Sequence, residues 1–206
     1  LKTLFSAAVE PNCVAALSVA TRPDCLPEEV VEYLSELNKI KPVFVELGLQ
    51  TIHEKTAEYI RRGYPLPVFD DAVKRLKSAG INVVVHVILG LPGESRDDML
   101  DTVRYVGKCG ADGIKLQLLH VLRGTDLCAD YEKGLFQTLE RDEYIDILGD
   151  AINILPKNVI IHRLTGDAPK KLLVSPIWSA DKKAVLAAIY RAFEQKNVMQ
   201  GSKCEN

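Results

Sequence analysis

Several features that would assign this 206-residue chain to a class at once are missing from its sequence. It has no apolar run near the roughly 20 residues that a membrane helix requires, and no stretch that resembles a signal peptide. The 26 Lys and Arg residues face 28 Asp and Glu, which excludes the overall positive field typical of nucleic-acid-binding proteins. The five cysteines include no C-x-x-C or C-x-x-x-C spacing. This excludes a dense metal or disulfide framework and predicts reduced thiols in a cytoplasmic protein.

What is present is ordinary globular composition, with 47% hydrophobic and 26% charged residues and enough chain for one substantial core. The stretch GINVVVHVILGLPGE (residues 80–94) is the most informative. It predicts a buried strand over Asn82–Leu89, a glycine-proline-glycine turn and a helix that begins at Ser95. A near-continuous apolar run suits a strand covered on both faces, so the pattern favours a parallel α/β sheet.

The same alternation of strands and helices runs through most of the chain. Proline, glycine and acidic residues separate the segments in the positions where helices begin and end. Short β-α connections predict right-handed crossovers in one parallel sheet or partial barrel. After residue 119 the pattern loosens, with a connection over 120–139 of the kind that covers a site, a helix over 140–155, a strand over 159–164, a terminal helix from Ser179 and a frayed end. The other predicted strands are Ala15–Ala20, Val43–Leu49 and Gly113–Leu119.

Strand parity separates an apolar face from a polar one, because successive side chains point to opposite sides of a sheet. Seven polar residues fall on the polar face, and burying them is costly unless each is hydrogen-bonded. They either satisfy one another inside a closed barrel or line a lumen that binds a polar ligand, and Gly48 would let something approach the backbone. The polar face carries Ser18, Arg22, Glu46, Gln50, His86, Lys115 and Gln117.

A set of motifs in a fixed order extends over nearly the whole chain. The motifs are ATRPDCL (20–26), ELGLQT (46–51), IRRGY (60–64), HVILGLPGE (86–94), IKLQLLHVLRGTDL (114–127) and IHRLTGDAP (161–169). Together they resemble the radical S-adenosylmethionine (SAM) enzymes. The resemblance is greatest to a bacterial subgroup of uncharacterised iron-sulfur oxidoreductases, akin to the Elongator catalytic subunit and the oxygen-independent coproporphyrinogen oxidases.

The resemblance implies a partial (β/α)6 TIM-like barrel and a defined chemistry. In the family a three-cysteine motif holds a [4Fe-4S] cluster, whose free iron chelates SAM. One electron then produces a 5′-deoxyadenosyl radical that abstracts hydrogen from the substrate. The implied partners are SAM, an unknown substrate and a reductant such as flavodoxin or ferredoxin. The Elongator kinship makes RNA a further candidate partner, which would contact the basic region formed by Lys170, Lys171, Lys182 and Lys183. The simpler interpretation is that these lysines form a solvated face.

The resemblance also implies cofactor-binding positions in this chain. Gln50 corresponds to a residue near the SAM ribose and amino-acid portion, and Arg62 to one that pairs with the methionine carboxylate. His86 lies where relatives contact the ribose. Ala20 stands where several relatives place a cofactor-binding glutamate. The turn expected to pack on adenine is formed by Gly90, Leu91, Pro92 and Gly93.

A second group of polar residues is expected on the substrate side. Residues around His120 lead into the loose connection, where a substrate would lie, although ordinary charges on a solvated loop fit as well. For the 161–169 motif, a turn with an Asp-capped helix start near Ala168 is an equal alternative. The predicted group is Lys115, Gln117, His120, Arg123, His162, Arg163 and Asp167.

The family's CxxxCxxC motif is absent. We therefore expect a fragment that begins before the family's third strand and has no radical activity by itself. Residues 1–119 would form strands three to six of the barrel core and 120–206 a C-terminal extension over the substrate side. Two alternatives remain open. One is a metal-free RNA- or protein-binding module, and the other is a lyase or aldolase in which Lys115 forms a Schiff base.

Overall fold

The computed structural model describes residues 2–204 and organises them around one parallel sheet. Its strands, in chain order, are β1 Leu17–Thr21, β2 Val43–Gln50, β3 Asn82–Leu89, β4 Gly113–Leu118, β5 Val121–Leu122, β6 Ile160–Arg163 and β7 Leu173–Ser175. The parallel sheet has the order β1-β2-β3-β4-β6, so each new strand is added at one edge. β5 and β7 form a separate antiparallel pair.

Helices connect the parallel strands and cover the apolar face of the sheet. None between residues 2 and 204 is long and apolar enough to cross a membrane. The helices are α1 Lys2–Val9, α2 Glu28–Asn38, α3 Glu54–Tyr59, α4 Leu66–Ser78, α5 Arg96–Lys108, α6 Asp126–Glu132, α7 Arg141–Ile154 and α8 Lys182–Gln195.

The central β3-α5 unit shows why these residues fold as they do. Gly80, with φ of +72°, ends α4 in a conformation that side chains other than glycine rarely adopt. Val83, Val85 and Val87 are 0% exposed beneath the helices. Ser95 then caps α5: its hydroxyl accepts from the backbone N–H of Asp98, whose carboxylate accepts from that of Ser95. This capping box supplies partners that the first turn of a helix otherwise lacks.

The predicted strands and helices of residues 2–119 are confirmed with small shifts of their ends. The main difference is α3, which was expected to run from His53 to Arg62 but ends at Tyr59. Arg61 adopts φ of +56°, and the backbone N–H of Arg62 bonds back to the Ala57 carbonyl, which closes the helix two residues before the predicted Gly63.

The prediction is less complete after residue 119. The loose connection contains β5 and α6, and β7 was not predicted, because strands of two or three residues carry no readable periodicity. The prediction that the C-terminal end is frayed is also wrong for the residues up to 204. The backbone N–H groups of Gly201 and Lys203 bond to the Ile152 and Asn153 carbonyls, which anchors the tail to the end of α7. Residues 205 and 206 of that prediction lie outside the described residues.

Candidate functional site

Polar side chains from four adjacent strands meet on the inner face of the sheet, around Glu46. The Ser18 hydroxyl donates to Oε1 of Glu46 at 2.8 Å, and Nε2 of His86 lies 2.8 Å from Oε2. The ammonium of Lys115 forms an ion pair with the same Oε2. Nε2 of Gln117 lies 3.1 Å from Nδ1 of His86. We call these five residues the Glu46 cluster.

The electrostatics of the Glu46 cluster keep its carboxylate ionised. Burial by itself would raise the pKa of Glu46, but hydrogen bonds from Lys115, Ser18 and His86 outweigh it and lower that pKa to about 2. Burial lowers the pKa of His86, although the Glu46 carboxylate opposes the effect. A neutral His86 that donates from Nε2 to Glu46 and accepts at Nδ1 from Gln117 satisfies both contacts. Both ring nitrogens of His86 are therefore engaged within the protein.

Gln50 lies at the carboxyl end of β2, where the strand bulges. Its φ of +63° is unusual for a residue other than glycine, and its side chain folds back over Gly48. A methyl group at position 48 would lie 2.6 Å from Nε2 of Gln50, so the missing side chain accommodates this amide. The Tyr64 hydroxyl donates to the Gly48 carbonyl and lies 3.4 Å from Oε1 of Gln50. The predicted close approach at Gly48 thus occurs within the chain itself.

Arg62 is enclosed by the segment that follows β2. Its side chain is 1% exposed and makes five hydrogen bonds. Nε donates to the Tyr64 carbonyl, one terminal nitrogen to the carbonyls of Thr51 and Leu49, and the other to both carboxylate oxygens of Glu54. A guanidinium has five N–H donors. In this conformation Arg62 keeps no donor for a methionine carboxylate.

The turn after β3 contains the remaining predicted cofactor positions. Gly90 and Gly93 have φ values of +88° and +84°, and the side chain of Leu139 packs against Gly90. Leu91 is 3% exposed and Pro92 is half-buried. The turn is therefore formed by positive-φ glycines and is covered on one side by the segment that precedes α7.

Glu94 closes the same turn with a buried carboxylate. Neither of its oxygens has a hydrogen bond of good geometry, although the hydroxyls of Thr51 and Thr56 lie nearby. Burial raises the pKa of Glu94, and the two threonines and His53 only partly oppose the rise. This residue was not among the predicted site residues.

The predicted substrate-side residues divide into two groups. Lys115 and Gln117 belong to the Glu46 cluster. Arg163 is the register partner of Lys115 on β6 and is half-buried, and its side chain makes no hydrogen bond or contact ion pair among residues 2–204. Nε2 of His120 is buried without a hydrogen-bond partner, and the ring lies against Gly166. These four residues lie along neighbouring strands and their carboxyl ends.

The other predicted residues lie apart from that group. His162 packs against Gly113, with its ring centroid 6.4 Å from that of Phe44 near the amino ends of the strands. Arg123 is exposed, and its backbone N–H bonds to the Leu172 carbonyl. Asp167 pairs with Lys182 at 2.6 Å, and no helix begins near Ala168.

Two residues differ from the sequence interpretation of the inner face. Arg22 pairs with Asp24 at 2.6 Å outside the Glu46 cluster, because this sequence-near carboxylate captures it. Tyr64 was missed, although its hydroxyl and ring contact the Gly48 carbonyl and the Arg62 guanidinium. The one signal for Tyr64 was its place in the IRRGY motif, since a loop residue belongs to no periodic pattern.

The cysteines are distributed over distant parts of the fold. Cys13 and Cys25 are exposed, whereas Cys128 is buried on α6. Across residues 2–204, no three His, Cys, Asp or Glu side chains are grouped so that they could hold a metal ion. The described residues therefore do not fit a [4Fe-4S] cluster, which is normally held by cysteine thiolates.

Comparison with known proteins extends over the whole sheet and the C-terminal region. The sequence matches the Radical SAM superfamily over residues 9–106 and the Radical_SAM C-terminal domain over residues 111–195. It is 43% identical over 201 residues to the uncharacterized protein YtqA of Bacillus subtilis, which covers 98% of this chain and 62% of that protein. A tRNA uridine(34) acetyltransferase of Methanocaldococcus jannaschii is 29% identical, over 95% of this chain and 35% of its own length.

The structural comparison agrees with the sequence matches. The archaeal Methanocaldococcus infernus Elp3, with an N-terminal deletion, superposes with a TM-score of 0.80 and 26% identity over 90% of this chain and 43% of that chain. The expected partial-barrel α/β fold is confirmed by this likeness. The chain spans less than two thirds of the length of these relatives. Its two adjoining family matches and its fold lead to one assignment: the chain belongs to the radical SAM superfamily.

Proposed function

We propose that these 206 residues form the SAM-binding and substrate-facing part of an enzyme that generates a 5′-deoxyadenosyl radical and abstracts hydrogen from its substrate. The observation that carries the proposal is the polar inner face, where four strands contribute side chains and Gln50 turns back over the carboxyl end of β2. In barrels built from parallel strands, active sites lie at this end.

Radical SAM enzymes use SAM and a [4Fe-4S] cluster, and the residues of this chain fit these two groups unequally. The amide of Gln50 has no hydrogen bond from Nε2 among the described residues, which leaves it available to a polar ligand. For SAM we therefore propose Gln50 together with the turn formed by Gly90, Leu91, Pro92 and Gly93. Residues 2–204 contain no set of side chains that could bind the [4Fe-4S] cluster, so its cysteine ligands would have to come from other sequence.

We propose different tasks for the two other predicted cofactor residues, on the basis of their contacts. Arg62 joins the Thr51, Leu49 and Tyr64 carbonyls and so fixes the segment that carries Gln50. His86, with both ring nitrogens occupied, would shape the lumen beside the ribose through its ring. Lys115 retains N–H donors beyond its ion pair with Glu46 and can present positive charge to a substrate.

The Schiff-base alternative is disfavoured by the position of Lys115. Its nitrogen is held in an ion pair with Glu46, and this pair would have to be broken before the nitrogen could attack a carbonyl. An RNA- or protein-binding module without chemistry has less support than the enzyme, because both parts of the chain match radical SAM domains. In addition, Lys182, one of the lysines considered for RNA contact, is paired with Asp167. For the whole protein we further propose RNA as a substrate or partner and a flavodoxin- or ferredoxin-like reductant. Oxidoreductase or transferase chemistry and the domain division at residue 119 are also proposals.

The decisive experiment compares two forms of the protein under anaerobic reduction in the presence of SAM. The form extended by its own upstream coding sequence should assemble a cluster and release 5′-deoxyadenosine, and residues 1–206 alone should release none. Product is measured by liquid chromatography with mass spectrometry. Absence of 5′-deoxyadenosine from a cluster-loaded extended form would contradict the proposal.

A variant of the extended form tests the proposed SAM position. Gln50→Asn shortens the amide but keeps a residue that tolerates a positive φ. We expect its SAM affinity to fall about tenfold, as for the loss of one or two hydrogen bonds. Gln195→Asn, at the exposed end of α8, is the matched control and should bind SAM like the parent. Equal affinities of the two variants would remove Gln50 from the site.

A further inference from the structure

Two polar side chains at the carboxyl ends of β4 and β6 have polar atoms without a hydrogen-bond partner among residues 2–204, in contrast to the cluster beside them. Arg163 ends β6 and is in register with Lys115. Its positive charge interacts electrostatically with both His86 and Asp167. His120 follows β4 and also interacts electrostatically with Asp167. We call Arg163 and His120 the rim pair.

Within the described part of the chain, Arg163 is the cation near the rim pair that has no contact ion pair. Lys115 is paired with Glu46, and Lys182 with Asp167 at 2.6 Å. Arg163 is half-buried and has no acceptor at hydrogen-bond distance among residues 2–204. A partly buried guanidinium is stabilised well by a carboxylate or a phosphate, since either oxyanion can accept two parallel N–H bonds.

His120 provides a second, independent indication of a ligand-binding position. Its Nε2 is buried and has no hydrogen-bond partner in the described part of the chain. The backbone of Gly166 fixes the ring from the other side, since a methyl group there would lie 3.0 Å from Cε1 of His120. Buried polar nitrogens are nearly always hydrogen-bonded in native proteins, so an unpartnered one at a site rim suggests that a ligand atom completes it.

We propose that Arg163 and His120 form a subsite for an oxyanion, a carboxylate or phosphate, carried by the substrate of the proposed radical reaction. The inference deepens the proposed function and rests on it. Arg163 supplies the charge and the two-pronged donor, and His120 supplies one further N–H. The subsite lies beside β4 and β6, whereas the proposed SAM residues follow β2 and β3. The oxyanion is accordingly assigned to the substrate and not to the carboxylate of SAM.

The test uses inorganic phosphate and succinate as probes of the 206-residue chain, with affinity measured by calorimetric titration at fixed ionic strength. We expect saturable binding of at least one probe and a loss of about tenfold or more in Arg163→Gln, as for a hydrogen bond to a charged group. His120→Gln should weaken the same probe several-fold. Arg191→Gln is the matched control, because Arg191 is exposed on α8 and bonds to the Ala187 carbonyl.

Three results would overturn the subsite. The first is that neither probe binds saturably, and the second is that Arg163→Gln binds the probe with the same affinity as the parent. The third is that Arg191→Gln loses as much probe affinity as Arg163→Gln. A separate titration in the presence of saturating SAM, on the cluster-loaded extended form, distinguishes the sources of the oxyanion. Competition by SAM would assign the oxyanion to SAM and overturn the substrate assignment, and its absence supports it. SAM cleavage by the same preparation reports on the proposed function independently of the probes.

Discussion

The Glu46 cluster lies on β1 to β4 and the rim pair at the carboxyl ends of β4 and β6, yet the polar groups of these two neighbouring regions are satisfied in different ways. In the cluster, Glu46 accepts from three side chains and both nitrogens of His86 are bonded. In the rim pair, Arg163 and Nε2 of His120 have no acceptor or donor among residues 2–204. The cluster therefore contributes to the stability of the fold. The rim pair contributes little, which leaves it free for a ligand.

The largest expected effect comes from Arg62, the most completely bonded side chain of the cofactor side. Arg62→Leu should lower the free energy of unfolding by about 4 kcal/mol, because several buried carbonyls lose a charged donor. Urea denaturation followed by circular dichroism measures it. The neighbouring Arg61→Leu removes a pair whose side chains are both 76% exposed, and should cost no more than about 0.5 kcal/mol. Equal losses would mean that burial of Arg62 does not matter.

Removal of the central carboxylate should have the next largest effect. Glu46→Gln leaves the ammonium of Lys115 partly buried and unpaired, and should destabilise the fold by about 3 kcal/mol in the same urea assay. Glu36→Gln, on the exposed side of α2, is the control. A loss below about 1 kcal/mol for Glu46→Gln would show that the cluster is not a stabilising feature.

The pH dependence of stability should report on the same carboxylate. Because the folded-state pKa of Glu46 lies at about 2, below its usual 4.5, its contribution is present above pH 4.5 and is lost as the pH falls toward 2. The stability difference between the parent and Glu46→Gln should therefore shrink over this window, by on the order of 2 kcal/mol after solvent screening. A difference that stays constant from pH 5 to pH 2.5 would contradict the assignment.

A smaller change should separate ligand binding from stability at the rim. Gly166→Ala places a methyl group 3.0 Å from Cε1 of His120, so the ring must shift. We expect a destabilisation of about 1 kcal/mol and a several-fold weaker affinity for phosphate or succinate. Lys170→Ala, in the same exposed loop, is the control for both measurements. Unchanged probe affinity in Gly166→Ala would remove His120 from the subsite.

The smallest expected effect sharpens the comparison most directly. Arg163→Gln should change the free energy of unfolding by no more than about 0.5 kcal/mol, because the side chain makes no hydrogen bond or contact ion pair within the described fold. The measurement is the same urea titration, at neutral pH and without phosphate. A loss above about 2 kcal/mol would place Arg163 with the Glu46 cluster as a structural residue.

Much of the fold and part of the site were predictable from local pattern. The apolar run of Asn82–Leu89 and the Ser95 cap defined the β3-α5 unit, because periodicity and capping depend on residues near in sequence. Parity likewise placed Ser18, Glu46, His86 and Lys115 on one face. The short β5 and β7 were missed, since so few residues gain their structure from pairing across the chain.

The sequence by itself determined which residues share the inner face and, through its motifs, the superfamily to which they belong. The tertiary structure alone decided how each polar group is used. It surrounded Arg62 with carbonyls, paired Arg22 with Asp24 and folded Gln50 over Gly48. It also left the Arg163 side chain without a hydrogen-bond acceptor among the residues that it describes. The physical reason is range: parity and capping act over a few residues, whereas hydrogen-bond partners and burial depend on where distant segments meet in the folded chain.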